Sequence, residues 1–301
     1  MKLSIFSLSV LALGFCVSAP IAQADTITLG NATPFAVLAG SAVTNTGSSV
    51  IDGDVGVSPG TSITGFPPGS VTPPGTINDK NAAANHAQID LTTAYNALAG
   101  LSPTSTLTGT DLGGLTLTPG VYFFASSAQL TGTLTLNAEG LSNALWVFQI
   151  GKTLTTASAS AVSIINPGPD DALYWQIGSS ATLGTGTDFE GNLLAKASIT
   201  LNTGATDNCG RVLAENAAVT LDTNTISIGC PDVAGEGSSG GLTGASSSGG
   251  TGGTGGTGGT GGTGGTGGTG GTGGTGVPEP STFLLVGCGG IFGLLVLRRN
   301  A

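Results

Sequence analysis

The 301-residue chain carries 17 Asp and Glu against 7 Lys and Arg, a formal net charge of -10 at pH 7. That balance would be repelled by a phosphate backbone, which excludes nucleic-acid binding. One histidine and 4 cysteines leave no His/Cys cluster for a metal and no Ser-His-Asp set, so neither an enzyme nor a cofactor is expected.

Met1 and Lys2 open an apolar stretch from Leu3 to Val17, and Ala22-Gln23-Ala24 supplies a small-x-small cleavage site. Residues 1–24 therefore read as a signal peptide cut before Asp25. Bulky Phe15 beside Cys16 argues against a lipoprotein. Residues 25–231 then form one domain rich in Thr, Gly, Ala and Val, long enough to bury one substantial core.

Strand-like pieces begin at residues 36–38 and 49–51. The segments Asp52-Gly53-Asp54-Val55-Gly56-Val57-Ser58-Pro59-Gly60 and Gly65-Phe66-Pro67-Pro68-Gly69 are too rich in Gly and Pro for regular central strands. They are expected to cap one end of the fold. A helix is predicted over 79–99, where Ala84, Ala87, Leu91, Ala94 and Leu98 recur at spacings of three and four. Asn78 or Asp79 can cap its start and Gly100 can end it. Its Ala-rich stripe permits close approach to a flat sheet, and His86, off that stripe, reads as a solvated side chain.

Further strand-like pieces occupy residues 121–124, 144–150, 172–177, 192–195 and 211–214. Leu145-Trp146-Val147-Phe148 is apolar on both sides, which requires one face of the sheet to be covered. Phe148-Gln149-Ile150-Gly151 returns as Trp175-Gln176-Ile177-Gly178, and each precedes a Thr-Leu strand. That short strand occurs as Thr153-Leu154-Thr155-Thr156, Thr182-Leu183-Gly184-Thr185, Thr200-Leu201-Asn202-Thr203 and Thr220-Leu221-Asp222-Thr223. The last three leucines lie 18 and 20 residues apart, a solenoid period whose copies stack as rungs about 4.7–4.9 Å apart. With Leu154, Leu183, Leu201 and Leu221 turned inward, alternation puts Thr153, Thr182, Thr200 and Thr220 in one exposed column, with Thr185 and Thr203 at its corner. Asp170-Asp171, the tightest acidic pair, lies in a Pro-Gly loop where a turn or a weakly held calcium accounts for it.

Cys209 and Cys230 are 21 residues apart, about one rung, so stacking would bring them close enough for a disulfide in an oxidising compartment. The alternative is two buried free thiols. Residues 232–276 read as a flexible Gly/Ser/Thr-rich linker, ending in a regular Thr-Gly-Gly repeat. Residues 277–301 hold Val277-Pro278-Glu279-Pro280-Ser281, an apolar run over 283–297, and Arg298-Arg299. This tail resembles the PEP-CTERM sorting signal of Gram-negative bacteria. The resemblance implies recognition by sorting machinery at the inner membrane, transient anchoring there, and removal of the tail; a permanent membrane anchor is the alternative.

Thr28-Leu29-Gly30-Asn31, Phe35-Ala36-Val37-Leu38-Ala39-Gly40, Thr44-Asn45-Thr46-Gly47, Gly53-Asp54-Val55-Gly56-Val57-Ser58-Pro59-Gly60, Leu115-Thr116-Leu117-Thr118-Pro119-Gly120-Val121-Tyr122, Trp146-Val147-Phe148-Gln149-Ile150-Gly151 and Gly210-Arg211-Val212-Leu213-Ala214 follow one another without a large gap. Together they resemble the DUF3494 family of ice-binding proteins. The resemblance implies a mainly β fold: a discontinuous right-handed β-solenoid with triangular rungs, one long α-helix alongside and a capping region. It further implies a secreted, non-enzymatic protein whose partner is the ice crystal surface, acting in antifreeze or ice recrystallisation inhibition.

The expected ice contacts are Thr44, Thr46, Thr64, Thr131, Thr153, Thr155, Thr182, Thr185, Thr200, Thr203, Thr220 and Thr223. Thr203-Gly204-Ala205-Thr206 fits the family's Thr-Ala/Gly-x-Thr/Asn motif fully, while Thr185-Gly186-Thr187-Asp188 and Thr156-Ala157-Ser158-Ala159 fit it in part. Asp188 and Asp222 are expected to place charges beside the face. The competing expectation is a cell-surface or matrix adhesin of the same fold that binds extracellular polysaccharide, for which aromatic residues on a groove would be the mark.

Overall fold

The computed structural model describes residues 27–229. The expected signal peptide, linker and sorting tail, together with Cys230, lie outside the described residues. Within them the chain winds into a parallel β-solenoid with three faces, built from one 15-stranded sheet that turns a corner and one 7-stranded sheet.

The first face contains Gly120–Phe124, Leu145–Ile150, Ala172–Ile177, the second halves of Asp188–Ala195 and Thr206–Ala214, then Phe35–Ala39, Asp54–Val57 and Ile77–Asp79. On the third face lie Thr133–Asn137, Ala161–Ile165, the first halves of the same two long strands, Thr225–Ser227, Val50–Asp52 and Ser70–Thr72. The register shifts between Glu190 and Asn192, where Gly191 takes φ +103 and lets one strand serve two faces.

The order of rungs is discontinuous. Phe35–Ala39 pairs with the end of Thr206–Ala214, Val37 opposite Val212 and Leu38 opposite Leu213, so the N-terminal strands extend the C-terminal end of the stack. The helix Ala82–Ala99 then returns the chain to the opposite end. At about 1.5 Å per residue its 18 residues span roughly 27 Å, five or six rungs of about 4.8 Å.

The helix buries the predicted Ala84, Ala87, Leu91, Ala94 and Leu98, and also Tyr95, against Phe35, Leu38, Val147, Tyr174, Leu194 and Leu213. This is the cover that the doubly apolar strand required: Val147 packs beneath the helix while Trp146 and Phe148 fill the solenoid interior. Inside, Tyr122, Phe148 and Trp175 stack in register, with centroids 5.4 and 4.1 Å apart. The repeated Gln of the two similar strands has a use at the helix end. Gln149 Nε2 donates to the carbonyls of Leu98 (2.7 Å) and Leu101 (2.9 Å), satisfying acceptors that a helix C-terminus leaves open.

Two expectations are corrected here. The N-cap is Asn81, whose side-chain oxygen accepts from Ala84 N at 2.9 Å; Asn78 instead accepts from the Asn81 amide at 2.7 Å, and Asp79 ends a strand. The Gly/Pro-rich segments do lie at one end of the stack, and residues 65–69 form a turn there, but the first segment holds a regular strand. Asp54–Val57 is flanked on both sides, and Ser62–Thr64, Ser70–Thr72 and Ile77–Asp79 form the outermost rung. Small Gly56 is required where the Phe35 and Leu38 side chains press close, which is why a central strand tolerates it.

Candidate functional site

The second face is the 7-stranded sheet, in the order Ala128–Leu130, Leu154–Thr156, Ala181–Leu183, Ile199–Leu201, Val219–Asp222, Ala42–Thr46, Ser62–Thr64. Its inward side chains include Leu154, Leu183, Leu201 and Leu221, all buried as predicted. The outward residue at the middle of each strand falls into one register: Gln129, Thr155, Thr182, Thr200, Thr220, Thr44 and Thr64. Six threonines thus stand side by side on six adjacent strands, about 4.8 Å apart.

None of these six hydroxyls is hydrogen-bonded to another described residue, so all six are available to water. Thr155, Thr220, Thr44 and Thr64 are exposed; Thr182 and Thr200, in the middle, are half-covered by neighbours of equal height. Beside the column on one side runs a line of small residues. Thr153 Oγ1 donates to Ser127 Oγ at 2.8 Å, Ser180 and Ser198 share a 3.0 Å hydroxyl contact, and Ala42 pairs with Ser62.

The structure corrects the column at its first repeat. Thr155 and not Thr153 stands opposite Thr182, because Leu154 pairs with Ala181; Thr153 belongs to the neighbouring line, with its hydroxyl engaged. Thr156 turns inward and shares a 2.7 Å contact with Thr187 Oγ1. The spacing carried the signal, since Thr155 to Thr182 is 27 residues where the later steps are 18 and 20. Thr46 faces outward one step along from Thr44 and pairs with Asp222. Thr131 follows its strand, with its N–H bound to Asp111 Oδ1 at 2.9 Å.

Thr185, Thr203 and Thr223 occupy the corner turns that lead to the third face, Thr223 with φ +57. Both threonines of the Thr203–Thr206 motif are occupied by carboxylates: Thr203 Oγ1 donates to Asp222 Oδ2, and Thr206 Oγ1 to Asp188 Oδ1 at 2.9 Å. Asp188 is on the third face, while at this one Asp222 ends a strand and exposed Asp111 bridges Gln129 beyond the outermost strand. Asp222 is the sole ionisable side chain in the seven strands, which also contain no aromatic residue.

Elsewhere the acidic groups serve the scaffold. Asp171 accepts from Ala144 N and Gly168 N, both at 2.9 Å, which makes it a loop pin. His86 is exposed on the helix. Asp207 replaces an apolar side chain in the inward row of the third face, between Phe189 and Ile226; it is fully buried and neither carboxylate oxygen has a hydrogen-bond partner. Burial, then the nearby Glu190, hold its pKa well above the usual carboxylate range, against an opposing pull from Arg211. Glu190 is itself pushed up to about 7 by burial and by Asp188. Cys209 is disulfide-bonded, and its expected partner lies outside the described residues.

Residues 37–227 match the Ice-binding-like family. An ice-binding protein of Nostoc sp. (strain HG1) is 61% identical over 202 residues, 67% of this chain and 74% of that one. The crystal structure of an ice-binding protein from the Antarctic ascomycete Antarctomyces psychrotrophicus is similar with a TM-score of 0.65 and 42% identity, covering 68% of this chain and 100% of that one. An ice-binding protein from an Antarctic biological consortium gives a TM-score of 0.64 at 44% identity, over 74% and 96% of the two chains. The sequence match and the similarity to solved structures agree, and the chain belongs to the Ice-binding-like family.

Proposed function

We propose that this protein binds ice, and that it does so through the column Thr155, Thr182, Thr200, Thr220, Thr44 and Thr64. The observation that carries the reading is the set of six unengaged hydroxyls in unbroken register on a bare parallel sheet. A β-branched side chain holds its methyl and hydroxyl at restricted χ1, so the column presents an evenly spaced row of both. Such a row can order water into a layer that merges with a crystal. The relatives named above are ice-binding proteins, which supports the same reading. A face without aromatic side chains does not favour polysaccharide.

The protein works outside the cytoplasm in this reading, exported by residues 1–24 and sorted through residues 277–301 as a non-enzymatic surface or secreted protein, with Cys209 bridged to Cys230. The experiment is Thr200→Tyr. It adds bulk to the middle of the column without opening the core, so stability should stay within about 0.5 kcal/mol of the parent while ice shaping is lost. A folded variant that shapes and inhibits ice as well as the parent would remove the column from consideration.

A further inference from the structure

The column has an uncharged flank, the line of Thr153, Ser180 and Ser198, and a charged one. On the charged side, the strand Val219–Asp222 ends in a carboxylate that leans along the rim. Asp222 Oδ2 accepts from Thr203 Oγ1 of the neighbouring rung, and Oδ1 accepts from Thr223 Oγ1 at 3.1 Å. The Asp222 backbone N–H is held by Asn224 Oδ1 at 2.6 Å, so the residue is fixed at both ends. Its partner across the sheet is Thr46, whose outward position continues the threonine array sideways. On nearby rungs the residues beside the column at this flank are half-buried Ala157, buried Gly184 and half-buried Asn202, all uncharged.

We propose that Asp222 sets the width of the ice-contact surface, by engaging the hydroxyls of Thr203 and Thr223 and holding a charge beside Thr46. This rests on the ice-binding reading of the column. The reason is solvation. A carboxylate holds its water shell tightly, and pressing it against ice would exchange that shell for lattice waters whose fixed orientations cannot all turn an O–H to it, whereas a neutral Thr hydroxyl loses far less on desolvation. Thr203 donates to the carboxylate and therefore addresses no water with its proton. Thr203 and Thr223 are outside the working surface in this protein although they look, by residue type, like part of it.

The test is charge removal without loss of shape. Asp222→Asn removes the charge and one of the two accepting oxygens, so at most one of the Thr203 and Thr223 hydroxyls stays engaged, and it is expected to raise thermal hysteresis at equal concentration about twofold. Asp222→Glu, which keeps the charge, should stay at or below the parent. Thr203→Val in the parent should leave hysteresis unchanged, and in the Asp222→Asn background should remove part of the gain. Hysteresis of Asp222→Asn equal to or below the parent, at an unchanged melting temperature, overturns the proposal. Should Asp222→Asn unfold, Thr203→Val in the parent decides alone: loss of activity overturns, no change supports. Thr200→Tyr is run beside them, because retained activity there means that the column reading has failed and not the role of Asp222.

Discussion

The helix-covered face and the threonine face are made from the same rungs, a few residues apart along the chain, and differ in what they turn outward. The covered face presents Val147, Tyr174, Leu194, Leu213 and Leu38, and the chain spends an 18-residue helix to bury them. The threonine face presents a short β-branched polar side chain in the column register on six of its seven strands and is left bare. Both inner surfaces are mainly apolar, with Thr156 and Asn45 as buried polar members behind the threonine face. Stability therefore comes from the interior and the helix, while the bare face is free to vary in chemistry without cost to the core.

The most forceful way to break that division is through the cover. Leu91 is fully buried at the centre of the helix stripe. Leu91→Ala should cost about 2–5 kcal/mol, the transfer term plus the cavity left between two rigid surfaces. Chemical denaturation measures it. Ice activity per folded molecule should be unchanged; a parallel loss would mean that the helix tunes the bare face and that the two faces are not independent.

A smaller effect tests the corner where the third face turns toward the covered one. Asp207 and Glu190 both have folded pKa values above their unfolded ones. The unfolded chain then releases these protons at lower pH than the folded one, so stability is highest below the unfolded values, near pH 4, and falls as pH rises through the folded values. For Glu190 the window runs from 4.5 to about 7. Melting temperature should accordingly decline between pH 4 and pH 8. Asp207→Val, matching Val162 and Ile226 in the same inward row, should add on the order of 1–3 kcal/mol at pH 8 and flatten the decline. A steeper decline in the variant would show that Asp207 finds a compensating partner when ionised.

Much of this was legible in the chain. The helix stripe, the inward leucines and the need for a cover follow from periodicity alone, and five of the six buried helix positions were read from spacing. Tyr95, four residues after Leu91 and three before Leu98, fits the same spacing and was missed; its hydroxyl reaches the Ile177 carbonyl at 3.2 Å. The column itself was half visible. Local repeats identified Thr182, Thr200 and Thr220, but that Thr44 continues the row after Thr220, as Thr220 pairs with Thr44, depends on a contact across more than 170 residues that no local pattern encodes. The shift from Thr153 to Thr155 has the same origin: a longer third turn, over 157–180, absorbs extra residues without changing the motif. Hydroxyl availability is a still finer property, since Thr155 and Thr203 read alike and differ only in what stands beside them.

The least disruptive change separates the faces at the helix start. Asn81 accepts from Ala84 N at 2.9 Å and donates to Asn78 Oδ1 at 2.7 Å, so it both caps the helix and ties it to the outermost rung of the covered face. Asn81→Ala leaves a first-turn N–H without its acceptor and should cost about 1 kcal/mol. Asn81→Asp restores an acceptor and places a negative charge at the positive end of the helix dipole, worth about 0.3–1 kcal/mol, but faces the Asn78 oxygen without a proton to offer. That loss should nearly cancel the gain, leaving Asp close to the parent and above Ala in melting temperature. If Ala and Asp fall equally, the Asn78 contact and not the cap fixes this end of the cover. Ice shaping should be the same in all three proteins, because the threonine face takes none of its strands from the residues that the cap holds.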